Sequence, residues 1–236
     1  MKWNNLSLVA VVLVLGLSGC VYLRLYTVRN QLQDFDRFVT VGGEPDLVLT
    51  FKQPVLLSED LVTLFKQPPT GQRQTGELKT FLWVVEKDPM PTAEAGEGIR
   101  FTFSTVFTNN KLTQLVIPQE VLRVVPRPAA VSMFKAMGHA HVNTGHRSAD
   151  TEFAQERAAA RFECSREDVT KLFGSPQETQ STETTTTWNY RFGLVPPPGP
   201  LTSRMRIRAQ FVFKNATDRL TQAQLEFSGH QVTVRM

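Results

Sequence analysis

Ten residues are written nearly twice in this chain. "EDLVTLFKQP" occupies positions 59–68, and "EDVTKLFGSP" occupies 167–176, with no gap needed to align them. The likeness continues downstream. "LKTFLWVVEK" follows the first copy and "TTTTWNYRFG" the second, so that Phe81, Trp83 and Val85 match Trp188, Tyr190 and Phe192. Such alternation of large apolar and polar residues marks a half-buried strand. "GIRFTFSTVF" then answers "RMRIRAQFVF", with Ile99, Phe101, Phe103 and Phe107 on one face and Ile207, Ala209, Phe211 and Phe213 on the corresponding one. A third pair, "NNKLTQLVIP" and "TDRLTQAQLEF", shares Leu-Thr-Gln after the polar turns at Asn109-Asn110 and at 215–218. Short polar turns of this kind join antiparallel strands.

Each copy reads as a helix followed by three strands. Leu61, Leu64 and Phe65 share a helical face, as do Val169, Leu172 and Phe173. Ser165 precedes Asp168 by three residues, the spacing of a capping box, and Ser58 is placed to cap the first helix. Gly174 and Pro176 form a stop signal. Lys66 stands where the second copy has Gly174, so the first helix should end less regularly. Residues 22–40 and 128–141 read as further helices, and 46–52 as an extra strand that 147–153 loosely matches. The expected class is therefore α+β: two tandem repeats, each with one or two helices packed on a three- to four-stranded antiparallel sheet. The divisions are 46–125 for the first repeat and 126–236 for the second, preceded by a tether and helix at 20–45. Within each repeat the Pro- and Gly-rich stretches at 88–98 and 194–203 read as long surface loops.

Residues 1–19 read as an export signal. Lys2 is followed by an apolar run of twelve residues, Leu6 to Leu17, too short to span a bilayer, which takes about 20. Leu17-Ser18-Gly19-Cys20 then resembles a bacterial lipobox. The resemblance implies a diacylglycerol on the Cys20 sulfur, cleavage before Cys20 and acylation of the new amine. Two or three acyl chains anchor a protein stably, whereas one does so marginally. Val21 in place of Asp implies the outer membrane of a Gram-negative envelope, facing the periplasm. The alternative is an uncleaved helical anchor, since Leu6 to Leu25 is nearly apolar across the cysteine. With Cys20 lipidated, Cys164 has no partner for an intramolecular disulfide.

Val169, Leu172, Gly174, Pro176, Trp188 and Tyr190 together resemble the signature of the SmpA/OmlA family, which includes the small lipoprotein of the β-barrel assembly machinery. Two units in tandem also resemble the β-lactamase inhibitor protein architecture. These resemblances imply the fold but not membership of that machinery, and carry over no catalytic residues; the expectation is a non-enzymatic protein without cofactors, acting through contacts with an envelope protein, with outer-membrane assembly or integrity as the leading reading. An inhibitor or binding module for an envelope enzyme is the alternative.

Three sets of residues are candidates for chemistry. If the aromatic strand residues face the helices, then Asn189, Arg191, Arg206, Arg208 and Gln210 share the outer face of the second sheet, a basic and amide-rich surface for a partner. "GHAHVNTGH" carries His139, His141 and His146, which would support a metal-dependent envelope enzyme, although H-E-x-x-H is absent. Asp60 and Asp168 recur, but their places at helix starts account for them without catalysis. A formal charge of +4 with no run of basic residues gives nucleic acid no footprint.

Overall fold

Strand edges explain how the chain is assembled. The computed structural model describes residues 21–89, 98–123, 125–143, 145–152, 163–199 and 204–236. The helices are α1 (21–33), α2 (Phe35–Phe38), α3 (Ser58–Phe65), α4 (Gln119–Leu122), α5 (Arg127–Gly138) and α6 (Arg166–Phe173). The strands of the first half are β1 (Val39–Gly42), β2 (Leu47–Phe51), β3 (Gly71–Thr75), β4 (Leu78–Lys87), β5 (Arg100–Thr108) and β6 (Lys111–Ile117). Those of the second half are β7 (His141–Asn143), β8 (Ser148–Glu152), β9 (Glu178–Ser181), β10 (Thr185–Leu194), β11 (Arg206–Lys214), β12 (Arg219–Phe227) and β13 (His230–Arg235).

The expectation of two repeats, each with its own small antiparallel sheet, is corrected here. All thirteen strands belong to one mixed sheet, ordered β1-β2-β6-β5-β4-β10-β11-β12-β13-β8-β7, with β3 and β9 branching from β4 and β10. The cause lies in strand lengths. β3 covers only Leu78 to Leu82 of the ten-residue β4, and β9 only Thr186 to Asn189 of the ten-residue β10. Each long strand keeps a bare stretch of edge, whose backbone groups need partners. The two bare stretches take each other, pairing Val85, Glu86 and Lys87 with Leu194, Gly193 and Phe192. The sheet is mixed because β13 enters between β12 and β8 and runs parallel to β8.

Within that sheet local details recur. A bulge falls between Val106 and Phe107 against β6, and another between Val212 and Phe213 against β12. An isolated bridge joins Leu57 to Lys111, and another joins Ser165 to Arg219, so the starts of α3 and α6 are tied to the first residues of β6 and β12.

The helices cover one face. Leu32, Phe35, Leu61 and Ala130 pack on Leu47, Leu49, Phe81, Trp83 and Phe107, while Val169, Leu172 and Ala129 pack on Tyr190, Phe192, Ala209, Phe211 and Phe213. Val85, Phe103, Val121 and Val125 touch both clusters, and Ala129 and Ala130 put α5 across the two. The core is continuous across the junction.

The helix ends show where the copies diverge. Ser165 caps α6, its hydroxyl accepting from the Asp168 N–H at 3.2 Å while the Asp168 carboxylate accepts from the Ser165 N–H at 2.9 Å. The Ser165 hydroxyl, donating to the Asp168 carboxylate at 2.7 Å, and then the Ser165 N–H hold the Asp168 carboxyl below the usual aspartate range. In α3 the cap position is Leu57 and not Ser58; the Asp60 carboxylate accepts from the Leu57 N–H at 2.8 Å, and Ser58 donates instead to Asn110 Oδ1 at 2.6 Å. Gly174 ends α6 at φ 64°, ψ −162°, a conformation reserved for glycine, and an added Cβ would lie 2.8 Å from Ile99 Cδ1. Lys66 ends α3 at φ 51°, ψ 27°, where any L side chain is strained. The two sites should respond oppositely. Gly174→Ala is expected to destabilise by about 2 kcal/mol, and Lys66→Gly to stabilise by about 1 kcal/mol. Denaturant unfolding of both variants measures this, and a stabilising Gly174→Ala would contradict the geometry.

Candidate functional site

Strand alternation places Asn189 and Arg191 of β10 with Arg206, Arg208 and Gln210 of β11 on the face away from the helices. The register sets Asn189 opposite Gln210, Arg191 opposite Arg208, and Gly193 opposite Arg206. Gln210 Nε2 donates to Asn189 Oδ1 at 3.1 Å. With Gln177, Glu178, Gln224 and Glu226 the first four of these pairing residues line a shallow polar depression of about 340 Å³.

The surface is not simply basic. Two guanidiniums facing each other across a ladder would repel, but each has a carboxylate on its outer side. Arg191 pairs with Glu178 at 3.5 Å, and Arg208 with Glu226 at 3.5 Å. All four side chains are largely exposed, so each pair contributes little to stability, about 0–1 kcal/mol. A partner offering carboxylates or carbonyls in the same spacing would displace them at small cost. Arg206 makes no ion pair among the described residues and is exposed.

Sequence reasoning missed Arg204. It lies flat over Gly193, where an added Cβ would come within 1.9 Å of its Nε. Its guanidinium donates to the Glu86 carbonyl at 2.8 Å and the Gly193 carbonyl at 2.9 Å, and it sits 3.4 Å from the Glu86 carboxylate and 3.7 Å from that of Asp88. It thus straddles β4 and β10 at the junction, beside the depression. The signal available was the lone Gly193 inside a strand, which marks a close approach by another group.

The opposite face of the junction is held by Lys87. Its ammonium donates to the Phe173 carbonyl at 2.7 Å and also reaches the Ser175 carbonyl, satisfying the C-terminal end of α6 from the other half of the sheet. Burial pulls the Lys87 ammonium below the usual lysine range. Tyr190 donates to the Gly174 carbonyl at 2.9 Å, and burial pushes its hydroxyl above the usual tyrosine range. Buried Gln67 donates to the Leu194 carbonyl at 3.1 Å and accepts from the Met205 N–H at 2.8 Å.

The first half presents a different outer face. Leu82 pairs with Ser104 and Val84 with Thr102, in the geometry that pairs Asn189 with Gln210 and Arg191 with Arg208. The outer face thus changes along the sheet, from apolar and hydroxyl-bearing pairs in the middle of β4 and β5, with the Glu86–Arg100 ion pair at their end, to charged and amide-bearing pairs on β10 and β11.

The histidines are divided. His139 ends α5 and His141 opens β7 opposite Asp150; both border a depression of about 480 Å³ with Asp150, Thr151 and Arg235. His146 is elsewhere, in the turn before β8, with its N–H donating to Asn143 Oδ1 at 3.1 Å. Among the described residues no group of three His, Cys, Asp or Glu is placed to hold a metal. Cys164 is buried, and burial pushes its thiol up to about 12, with the Asp168 carboxylate adding to the effect, so it is no nucleophile near neutral pH. Leu17, Ser18, Gly19 and Cys20 lie outside the described residues, as do 90–97 of the first long loop and 200–203 of the second. No helix among the described residues is long and apolar enough to cross a membrane.

No family model matches the chain, and no curated protein or solved structure matches it significantly.

Proposed function

We propose that the chain is a lipid-anchored cell-envelope protein that acts by binding another envelope protein on the outer face of its sheet. The lipobox at Leu17 to Cys20, placed at the end of an apolar run of export-signal length, carries the location. The contact surface is carried by the outer face of β10 and β11: exposed Arg–Glu pairs that exchange easily, an Asn–Gln pair, and exposed Arg206, which has no ion pair among the described residues. Arginine is suited to such a surface because its planar fork meets a carboxylate through two hydrogen bonds. The SmpA/OmlA-like residues, Gly174 and Pro176 with Trp188 and Tyr190, direct the reading to outer-membrane assembly or integrity.

The test uses the full chain in its own cells. A photo-crosslinking residue at Gln210 is expected to capture a discrete envelope partner, identified by mass spectrometry. Charge reversal by Arg206→Glu and Arg208→Glu should abolish that adduct. An unchanged set of adducts would refute the surface. Labelled palmitate should enter the wild-type chain and be lost on Cys20→Ala; retention of label in that variant would refute the anchor.

A further inference from the structure

We infer that Tyr22, Leu23 and Tyr26 form an interfacial seat that lies in the headgroup region of a phospholipid bilayer and fixes how the folded body faces it. This rests on the lipid-anchored reading above. The three side chains are 50%, 69% and 56% exposed, and Tyr22 and Tyr26 are the exposed large aromatic residues among those described. Their spacing of four puts the rings on one helical face, with Leu23 beside them.

The opposite side of α1 is bound to the body, so this face has a set direction. The Arg24 guanidinium grips the Asp60 carboxylate at 2.6 and 2.5 Å. Further along, Gln31 Nε2 donates to the Gln53 carbonyl at 2.7 Å, and α1 crosses α5 so closely that a Cβ on Gly138 would meet the Leu32 backbone at 2.3 Å. The exposed residues of the following turn, Asn30 and Gln33, are polar. The aromatic face is therefore confined to the end nearest Cys20.

The occupant follows from the adjoining sequence. Between Lys2 and Arg24 there is no charged residue, and the first acidic residue of the whole chain is Asp34. Residues 21–26 are helical, so Tyr26 stands only about 7.5 Å of axial rise beyond Val21, the residue that follows Cys20 in the sequence. A bilayer that holds Cys20 is thus within reach of both tyrosines, and tyrosine rings favour that interfacial depth. The Arg29 guanidinium lies 5.8 Å from the Tyr26 ring centre and adds a positive charge suited to anionic headgroups.

The experiment places the full, acylated chain in vesicles of phosphatidylethanolamine and phosphatidylglycerol, with spin labels on Leu23→Cys, Tyr26→Cys or Gln33→Cys. Buried Cys164 and acylated Cys20 leave the new thiol as the labelled one. Labels at 23 and 26 are expected to be several-fold less accessible to a water-soluble nickel reagent than the label at 33, and more accessible to oxygen. Vesicle-bound protein with equal nickel accessibility at all three positions would overturn the seat while leaving the anchor intact. Low accessibility to both reagents at 23 and 26 would mean protein covers them, and would also overturn it. Protein that fails to float with the vesicles would overturn the anchor and the seat together.

Discussion

Phe213→Ala is expected to lower the unfolding free energy by about 3–5 kcal/mol, and Phe107→Ala to do the same, each in a single transition shared by the whole sheet. Both rings are fully buried and reach the helix face by the plain alternation of their own strands, the extra residue of each bulge lying on the partner strand. The Phe107 ring centre is 5.0 Å from that of Phe81, and the Phe213 ring centre is 5.0 Å from that of Trp188, so truncation removes an aromatic contact and opens a cavity. The shared transition is the stronger claim. The strand pairing of Val85 to Lys87 with Phe192 to Leu194, the Lys87 clamp on α6 and the core residues common to both clusters leave no plane along which the halves separate. Phe173 makes the same point, since its ring touches Phe101 of the first half and Phe211 of the second, each at 5.5 Å. Trp83 and Trp188 report on the two halves. Single-tryptophan variants in detergent should give coincident denaturant curves, and either Phe→Ala change should move both. Curves that separate, with each substitution moving only its own half, would show two independent modules.

That distinction marks the limit of what could be read from the chain. Strands β4, β5, β10 and β11 show in the alternation of Phe81, Trp83 and Val85, of Phe101 and Phe103, and of Trp188, Tyr190 and Phe192. The same alternation put Asn189, Arg191, Arg208 and Gln210 on one face. Strands β3 and β9, "GQRQT" and "ETQS", are almost wholly exposed and contain no apolar residue to alternate. They were invisible, and with them the fact that they cover only part of β4 and β10. The merging of the two sheets follows from that fact alone. Glu178 belongs to β9, so its pairing with Arg191 was hidden for the same reason, and the surface read as more basic than it is. The parallel alignment of β13 with β8 joins residues about eighty positions apart and has no local trace. Capping is legible at Ser165, whose hydroxyl meets a partner three residues away, but not at Ser58, which answers to Asn110 from the distant β5–β6 turn.

Asp60→Ala should cost about 3 kcal/mol, whereas Asp168→Ala, at the matching position, should cost about 1 kcal/mol. The sequence gives the two acids the same role at a helix start, and the structure separates them. Asp168 is partly exposed and serves only the cap at Ser165. Asp60 is fully buried, accepts from the Leu57 N–H, and takes both arms of the Arg24 fork. Removing it leaves a half-buried guanidinium that has lost its carboxylate, which is the expensive way to break an ion pair. Arg24→Ala alone should cost nearly as much, and the double variant should cost clearly less than the sum, giving a coupling of about 1–3 kcal/mol in a double-mutant cycle. Equal costs at Asp60 and Asp168, or additive effects of Arg24 and Asp60, would show that the pair is incidental. The consequence reaches beyond stability. Arg24 lies between Tyr22 and Tyr26, so the same pair that stabilises α3 holds the aromatic face of α1 in register with the body. An Asp60→Ala chain that still folds should remain on the membrane through its lipid, yet lose the several-fold protection of positions 23 and 26 from the nickel reagent.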